Sequence, residues 1–483
     1  MASAGDDKHT EILDVIEKRL IPDEAAKKAR GEVFTPLNLV REMLYGLRKS
    51  DPTQIWGVRD GALFEDDLED RIGGIPLDVW QNPESKWLDP ANGIGNFPFV
   101  AFLMLDFQLS KTMKDSPARK KHIVEKMLYM IEIDKGNVNT ARKIFETLVP
   151  GAKSNICCAD TLKLKKDDLT REFGVAEFDV VMGNPPFQTP TTVSGTLRAA
   201  QHGTLWDKFV NFSVGILKPN AYLAFITPQT WRKPDDPNWN ILAGERHLEY
   251  IHILGKKRSS NEFKVSQRVD LYIVKNTPVK SVTIIYDEND DIHRIDTGIW
   301  PFLPNYVYDD IWKILVTEGR GIDVIYDSTI YRTEKPRKGS PKVIKTSNDE
   351  YKYPVVHSIT NKGPVLWYSN TNTKGHFGIP KVLLNKNEKQ YPINDFEGTY
   401  GMSELTFGIP ISSKKEGDDI VTAINSEKFK EIIKATKWGA FQTEHKMFRY
   451  FRPDFYKEFL PKKSSSKMIK TRTKARRSRQ RAR

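Results

Sequence analysis

Cysteine is nearly absent from this chain, and its placement excludes two common ways of stabilising a fold. The 483 residues include 2 cysteines, Cys157 and Cys158, which are adjacent in a strand-like run. Adjacent cysteines offer neither a disulfide framework nor the spacing of a zinc site. We interpret both as packing residues, and we expect no metal site.

Long apolar runs are also absent. The longest, at 97–105, is far shorter than the roughly 20 residues that cross a bilayer. Residues 1–10 are polar and acidic, and no apolar stretch follows them as it would in a signal peptide. We therefore expect an intracellular protein without a membrane partner, located in the cytoplasm, or in the nucleus if a basic segment acts as an import signal.

Positive charge is concentrated at one end of the chain. The net charge is +12, and residues 462–483 contain 11 Lys or Arg and no Asp or Glu. A segment of this composition cannot bury an apolar core, so we expect a disordered basic tail over 461–483. It would bind nucleic acid loosely, direct nuclear import, or serve only to keep the protein soluble.

The order of predicted elements indicates an α/β fold. Short apolar strands alternate with helical patterns, and the predicted strands are 86–89, 128–134, 155–160, 178–182, 221–227, 248–254 and 269–275. This rhythm predicts a mostly parallel sheet with helices on both faces. Beyond about residue 290 the rhythm fails, and short Gly- and Pro-containing segments predict a smaller, mixed, strand-rich domain. The length is consistent with about two domains.

The residues that follow each predicted strand form a coherent series. Ligands of open parallel sheets bind at the carboxyl ends of the strands. The first strand leads into LDPANGIGNF at 88–97, where Gly93 and Gly95 allow a tight turn. The next two strands end at Glu132, suited to ribose hydroxyls, and at Asp160, suited to an adenine amino group. Each signal alone also fits an ordinary glycine turn or a solvated carboxylate.

The fourth strand ends in GNPPF at 183–187. Proline has a fixed φ and holds the preceding residue extended, so the Asn184 side chain and the Pro185 carbonyl can be rigid acceptors that face one point. Two acceptors fit one amine, and Phe187 after Pro186 supplies a ring that can stack on a planar group. The alternative is a stiff turn after a buried strand.

These motifs resemble those of DNA amino-methyltransferases that use S-adenosylmethionine. The resemblance is closest to the adenine-N6 methyltransferases of restriction-modification systems, in which cofactor motifs precede the catalytic motif and a target recognition domain is carboxy-terminal. GEVFTP at 31–36 is similar to the amino-terminal cofactor motif of that family. The chain departs from the family at Asn92 and Ile94, where members often carry Cys or Gly, then Thr or Ser.

The resemblance implies a Rossmann-like methyltransferase domain over 1–290 and a target recognition domain over 291–460. It implies methyl transfer to the N6 amine of a flipped-out adenine in double-stranded DNA, and a cognate restriction endonuclease as a second partner. The implied catalytic residues are Asn184, Pro185, Pro186 and Phe187, and the implied cofactor residues are Phe34, Thr35, Asp89, Gly93, Gly95, Glu132, Ile133 and Asp160.

Several alternatives stay open at this point. The acceptor chemistry also fits another planar nitrogen, such as cytosine N4, an RNA base or a protein glutamine. A DNA-binding relative without catalytic activity is a further alternative. Recognition of DNA would fall to basic and aromatic residues of the second domain, namely Arg332, Lys335, Arg337, Lys338, Lys342, Lys345, Trp367, Tyr368 and His376.

Overall fold

A large mixed sheet organises the protein. The computed structural model describes residues 35–48, 71–188, 204–278, 281–332, 342–439 and 442–461. In this part of the chain, 9 strands lie in the order β11-β10-β8-β9-β7-β6-β3-β4-β5. They are β3 (Trp87–Asp89), β4 (Leu128–Glu132), β5 (Asn155–Cys158), β6 (Phe178–Gly183), β7 (Leu217–Pro228), β8 (His247–Leu254), β9 (Val269–Lys275), β10 (Thr283–Tyr286) and β11 (Ile292–Ile295). A separate antiparallel pair consists of β1 (Leu47–Arg48) and β2 (Arg71–Ile72).

The half of the sheet from β7 to β5 is parallel, as the sequence predicts. Pairs β7·β6, β6·β3, β3·β4 and β4·β5 are parallel, whereas β9 lies antiparallel between β7 and β8. Strands β3 and β4 are buried at every residue. Strands covered on both faces are expected to be continuously apolar, which is why they are so readable in the sequence. The α/β prediction is confirmed.

Helices cover both faces of this sheet. Those that follow β3, β4, β5 and β6 are α3 (Asn96–Leu109), α5 (Lys135–Leu148), α6 (Lys166–Phe173) and α7 (Trp206–Gly215). The other α-helices described before residue 290 are α1 (Leu37–Tyr45), α2 (Leu77–Trp80), α4 (Ser116–His122), α8 (Pro237–Trp239) and α9 (Lys256–Phe263). Side chains of α1, α3 and α5 share one hydrophobic cluster, and those of α6 and α7 belong to the cluster on the opposite face.

Three predicted strand ends differ from the structure by two residues or more. Strand β4 ends at Glu132 instead of residue 134, because Asp134 caps the following helix α5. Strand β5 ends at Cys158 instead of residue 160, because Asp160 turns away to cap a short helix at Thr161–Lys163. Strand β7 begins at Leu217, before its apolar run, because Leu217 pairs with Phe178 across a register shift.

Among its described residues, the carboxy-terminal part contains two smaller sheets and three α-helices. One sheet contains β12 (Val343–Ile344), β13 (Tyr353–Thr360), β14 (Gly363–Ser369) and β17 (Gly401–Met402), and the other contains β15 (Lys381–Asn385), β16 (Ile393–Asp395) and β18 (Thr406–Pro410). The helices are α10 (Tyr308–Trp312), α11 (Lys414–Asn425) and α12 (Glu427–Ala435). The strand-rich character predicted for this part is confirmed.

A single hydrophobic cluster joins the carboxy-terminal part to the large sheet. It includes Leu88 and Tyr129 of the sheet together with Phe429 and Phe451. Strand β11 belongs to the large sheet although it lies beyond residue 290. The division at residue 290 therefore stays a prediction, and the packing is continuous across it.

Buried polar contacts reinforce this junction. Arg232, which follows β7, forms an ion pair with Asp270 at 2.8 Å between Nε and Oδ2, and both side chains are inaccessible to solvent. The same guanidinium donates hydrogen bonds to the carbonyls of Leu303 and Pro304 and to Oδ1 of Asn305. Arg232 thus fastens the chain at 303–305 to the end of the large sheet.

Several predictions concern residues outside the described ranges. These are the basic tail, Phe34, and three members of the basic cluster, Lys335, Arg337 and Lys338. Of the helices that the structure describes, none has both the length and the apolar character needed to span a membrane. Within the same ranges, no three His, Cys, Asp or Glu side chains are grouped so that they could hold a metal ion.

Candidate active site

A cavity of about 770 Å³ lies at the carboxyl ends of β3, β4, β5 and β6. Its volume is in the range of small-molecule sites, and its position is the one expected for an open parallel sheet. It brings together most of the predicted site residues, namely Thr35, Gly93, Glu132, Ile133, Asp160, Asn184, Pro185, Pro186 and Phe187. Asp89 and Gly95 are buried and are not among the residues that line the cavity, and Phe34 lies outside the described residues.

Asp89 lies beneath the loop that follows β3. Its side chain is buried, and Oδ1 accepts a hydrogen bond from the backbone N–H of Ala91 at 3.0 Å. Burial raises the pKa of Asp89 to about 8, and the negative charge of Glu132 adds to this rise. The hydrogen bond from Ala91 acts in the opposite direction and lowers the pKa. Asp89 therefore supports the loop from inside, instead of facing the cavity.

Glu132 connects the end of β4 to the glycine loop. Its Oε2 accepts a hydrogen bond from the backbone N–H of Gly93 at 2.7 Å, and its Oε1 accepts one from Asp134 at 2.7 Å. These two bonds fix the carboxylate in the cavity wall. The next residue, Ile133, is 67 % exposed and lines the cavity, so a large apolar side chain is available to an apolar part of a ligand.

Asp160 occupies the third strand end and caps the short helix that follows it. Its Oδ1 accepts a hydrogen bond from the N–H of Leu162 at 3.2 Å, and its Oδ2 lies 3.1 Å from Nζ of Lys163. The neighbouring Thr161 hydroxyl donates to the carbonyl of Pro90 at 2.5 Å. The ends of β3 and β5 are thereby tied together on one side of the cavity.

The Asn184–Phe187 segment lines the same cavity. Pro185 and Phe187 are buried, and Asn184 and Pro186 are half-buried. The side-chain Nδ2 of Asn184 donates a hydrogen bond to Oγ1 of Thr35 at 3.1 Å. The Phe187 carbonyl accepts from the N–H of Leu205, which brings the segment back towards α7. The four residues of the predicted motif therefore share one wall of the cavity.

Other cavity residues escaped the sequence reading. The Oδ1 atoms of Asn92 and Asn96 are buried, and neither has a hydrogen-bond partner in the part of the chain that the structure describes. Both residues line the cavity, as does Lys208 on α7. In the sequence, Asn92 is noted only as a departure from the family pattern. Asn96 directly follows Gly95, and this place beside the predicted turn is the signal that could have identified it. Lys208 carries no recognisable signal.

The predicted DNA-reading cluster is only partly assembled. Lys345 is exposed, and its Nζ lies 5.7 Å from the ring centre of Trp367. The ring of His357 stacks on Trp367 with a centroid separation of 4.8 Å. We call Lys345, His357 and Trp367 the β13–β14 surface. Arg332, by contrast, forms an ion pair with Glu404 at 2.7 Å, so its charge is already balanced.

Comparisons with known proteins agree with the motifs. Residues 105–258 match the sequence profile of the Eco57I restriction-modification methylase family. A protein of Mycoplasma pneumoniae described as an uncharacterized adenine-specific methylase is 27 % identical over 262 residues. The match covers 41 % of this chain and 55 % of that relative, so the chain spans about half the length of the curated relative. The predicted resemblance to the adenine methylases of restriction-modification systems is confirmed.

Solved structures of restriction-modification enzymes also resemble this chain. The M protein of the type I restriction enzyme EcoKI is 15 % identical, with a TM-score of 0.36, over 54 % of this chain and 49 % of that one. The ATP-dependent type ISP restriction-modification enzyme LlaBIII, bound to DNA, is 12 % identical, with a TM-score of 0.47, over 92 % of this chain and 40 % of that one.

Proposed function

We propose that this protein is an S-adenosylmethionine-dependent DNA methyltransferase that modifies the exocyclic N6 amine of adenine. The observation that carries the proposal is the shared cavity. Gly93, Glu132, Ile133 and Asp160 line the same cavity as Asn184–Phe187. A cofactor and a target amine bound by these residues would be adjacent, as direct group transfer between two bound molecules requires.

The cavity wall fits the proposed cofactor. The buried Oδ1 atoms of Asn92 and Asn96 are acceptors suited to the amino group of the methionine end. The carboxylates of Glu132 and Asp160 are acceptors suited to the ribose hydroxyls and to the adenine amino group, and exposed Ile133 offers an apolar surface to the adenine ring. When bound, S-adenosylmethionine supplies a methyl group that is already activated by the attached sulfonium.

The chain's own contribution to the reaction is the orientation of the target amine. The lone pair of an adenine amine is delocalised into the ring, so the nitrogen is a poor nucleophile until it becomes tetrahedral. The Asn184 amide oxygen and the Pro185 carbonyl would accept its two hydrogens and favour that geometry. They would also stabilise the positive charge that develops on the nitrogen.

The target base would stack on Phe187. An amine inside a duplex is inaccessible, so the base has to be flipped into the cavity. Phe187 is 8 % exposed and lines the cavity, which leaves a small part of the ring available while the rest is anchored in the core. A ring fixed in this way can hold a planar base without losing side-chain freedom on binding.

The β13–β14 surface is our candidate for contact with double-stranded DNA. An exposed lysine beside stacked aromatic rings combines a phosphate-binding charge with surfaces for sugar or base contact. Burial lowers the pKa of His357, so this ring is neutral near pH 7 and can act as donor or acceptor. A cognate restriction endonuclease stays a prediction from the resemblance.

The proposal is tested by incubating the full chain with S-adenosylmethionine and adenine-unmethylated genomic DNA, followed by mass spectrometry of the nucleosides. We expect N6-methyladenine from the native protein and none from Asn184→Ala, which should retain DNA affinity. Asn211→Ala, on the exposed side of α7, is the matched control and should stay active. Absence of N6-methyladenine with the native protein would overturn the proposal, and parallel reactions with RNA and with protein would identify the alternative substrates.

A further inference from the structure

Two hydrogen bonds join the glycine loop to Asn184 through a single residue, Thr35. Nδ2 of Asn96, the first residue of α3, donates to the Thr35 carbonyl at 2.8 Å. Nδ2 of Asn184 donates to the Thr35 hydroxyl oxygen at 3.1 Å. Both Thr35 and Asn96 are buried. We propose that Thr35 is a positioning residue that holds the Asn184 amide for the target amine, an inference that rests on the proposed function.

The chemistry of an amide explains why such a contact matters. One end of the Asn184 amide donates hydrogen bonds and the other accepts them. The hydrogens of the target amine need the accepting end. In the structure Nδ2 is the end bound to the Thr35 hydroxyl, so the accepting atom Oδ1 is turned away from Thr35. If the amide turned over, Nδ2 would meet the amine hydrogens, and two donors would face each other.

The backbone that carries the Thr35 hydroxyl is held in place from two sides. Pro36 follows it with φ −55° and ψ 140°, and a residue before proline is restricted to extended backbone. Helix α1 begins directly after Pro36 and is buried at almost every residue. The Thr35 backbone is therefore held by proline on one side and by the Asn96 hydrogen bond on the other, so its side chain starts from a fixed point.

The same contacts connect the cofactor side of the cavity with the catalytic side. Asn96 is the first residue of α3, directly after the turn that contains Gly93 and Gly95, and Asn184 directly follows β6. If the turn shifted, Asn96 would move with it. The hydrogen bonds of Thr35 would then transmit this movement to the Asn184 amide. Thr35 therefore sets the position of the Asn184 acceptor relative to the loop that would hold the cofactor.

This role differs from cofactor binding by Thr35, which the motif resemblance implies. If Thr35 served only the cofactor, loss of its hydroxyl would raise the Kd and KM for S-adenosylmethionine and leave kcat unchanged. If it positions Asn184, loss of the hydroxyl lowers kcat at saturating cofactor and leaves the cofactor Kd unchanged. Misplacement of a catalytic group by about 1 Å can cost on the order of 10²-fold in rate.

The test compares Thr35→Val with Thr35→Ser in the full chain. Valine keeps the shape of threonine and removes the hydroxyl, whereas serine keeps the hydroxyl. We expect kcat for N6-methyladenine formation to fall by about 10- to 100-fold in Thr35→Val and to stay within about threefold of the native value in Thr35→Ser. The Kd for S-adenosylmethionine, measured by calorimetry, should be the native value in both.

A second threonine controls for loss of a buried hydrogen bond as such. Thr436 is buried at the end of α12, far along the chain from the cavity residues, and its hydroxyl donates to the Ile432 carbonyl at 2.7 Å. Thr436→Val should lower stability and leave kcat unchanged. The Asn96→Leu variant removes the donor to the Thr35 carbonyl and should lower kcat at saturating cofactor in the same direction as Thr35→Val. Because it also removes the Oδ1 acceptor proposed for the cofactor, its Kd for S-adenosylmethionine should rise as well.

The possible outcomes separate this inference from the proposed function. If the native protein forms no N6-methyladenine, the proposed function fails. If the native protein is active and Thr35→Val retains its kcat, the positioning role is wrong. If Thr35→Val weakens cofactor binding without a change in kcat, Thr35 serves the cofactor only. If Thr35→Val does not fold, the kcat values of Thr35→Ser and Asn96→Leu are compared instead. A native kcat in Asn96→Leu would overturn the inference.

Discussion

Gly183, the last residue of β6, lies directly against the buried carboxyl of Asp89. A Cβ atom added at Gly183 would be 2.8 Å from Oδ1 of Asp89, closer than such atoms approach in folded proteins. The residue before Asn184 therefore has to be glycine for a packing reason. The carboxyl cannot move away easily, because it is buried and accepts a hydrogen bond from Ala91.

We expect Gly183→Ala to lower both methyl transfer and stability. The added methyl group would displace either Asp89 or the Asn184–Phe187 wall, and overpacking of this kind typically costs about 1–3 kcal/mol. Gly215→Ala is the control, because no atom lies within 4 Å of a Cβ placed there. Urea unfolding and activity assays check both variants, and native activity in Gly183→Ala would contradict the expectation.

Asp89 is expected to make stability depend on pH. Its pKa in the folded protein is raised to about 8 from the ordinary value of 3.8, so the unfolded chain releases the proton first. The contribution of neutral Asp89 to stability is complete below about pH 4 and is lost as the pH rises towards 8, with a limiting slope of about 1.4 kcal/mol per pH unit.

The Asp89→Asn variant removes this titration and keeps the acceptor for Ala91. The free energy of unfolding of the variant, relative to the native protein, should therefore increase from pH 5 to pH 8 and level off above. Urea unfolding of both proteins, repeated at intervals of about one pH unit, measures this difference. A constant difference across the range would show that Asp89 is ionised in the folded protein.

Ile133 is expected to contribute to cofactor affinity without contributing to stability. Its side chain is 67 % exposed in the absence of ligand, so truncation removes little buried surface from the folded protein. Covering most of it with an adenine ring would be worth somewhat over 1 kcal/mol, and Ile133→Ala should raise the Kd for S-adenosylmethionine about tenfold. Calorimetry measures the Kd, and Ile299→Ala, at a residue that is 58 % exposed, should leave it unchanged.

The buried pair of Arg232 and Asp270 is expected to be costly to break. Burial raises the pKa of Asp270 and the charge of Arg232 opposes that rise, so Arg232→Met leaves an acidic group buried without its partner. Such a loss typically costs about 3–5 kcal/mol. Adding Asp270→Leu should recover part of this, and Arg171→Met, at an exposed pair, should change little. Equal unfolding free energies in the single and double variants would contradict this account.

The β13–β14 surface is expected to contribute to DNA affinity. Lys345→Ala should weaken binding to all sequences and reduce the slope of log affinity against log salt by about 1. Trp367→Ala should weaken binding without changing that slope. Fluorescence anisotropy over a salt series measures both effects. Trp312→Ala, 38 % exposed on α10 next to Asp309 and Asp310, is the control, and an equal loss there would contradict the assignment.

Seven of the nine strands that the structure describes in the large sheet were readable from the sequence, because most of their residues are apolar and buried, and β9 at Val269–Lys275 was predicted residue for residue. Strands β10 and β11 were not predicted, because both are short and β11 is exposed or half-buried at every residue. The order of the strands was not readable, since β9 lies between β7 and β8 by long-range pairing that leaves no local pattern. The short strands of the carboxy-terminal part were predicted in character only, because half-buried strands such as β14 have no regular alternation.

Most of the predicted site residues that directly follow strands line one cavity, and their roles stay predictions. The positions after β4, β5 and β6 converge because parallel strands end at the same edge. The contacts that fix these residues were not predictable, because they connect distant positions in the chain, such as Thr35 with Asn184. The absence of Asp89 from the cavity lining also depends on burial, which a strand-end position alone does not specify.

The hydrophobic cluster shared by the large sheet and the carboxy-terminal part has a consequence for protein engineering. A chimera made by exchanging everything after residue 290 would separate Phe429 and Phe451 from their partners in the sheet, and would remove the chain at 303–305 from Arg232. Under the proposed function, an exchange of target recognition made in this way would disturb folding before it changed target choice. Substitutions on the exposed side of β13 and β14 would test target preference while leaving the core intact.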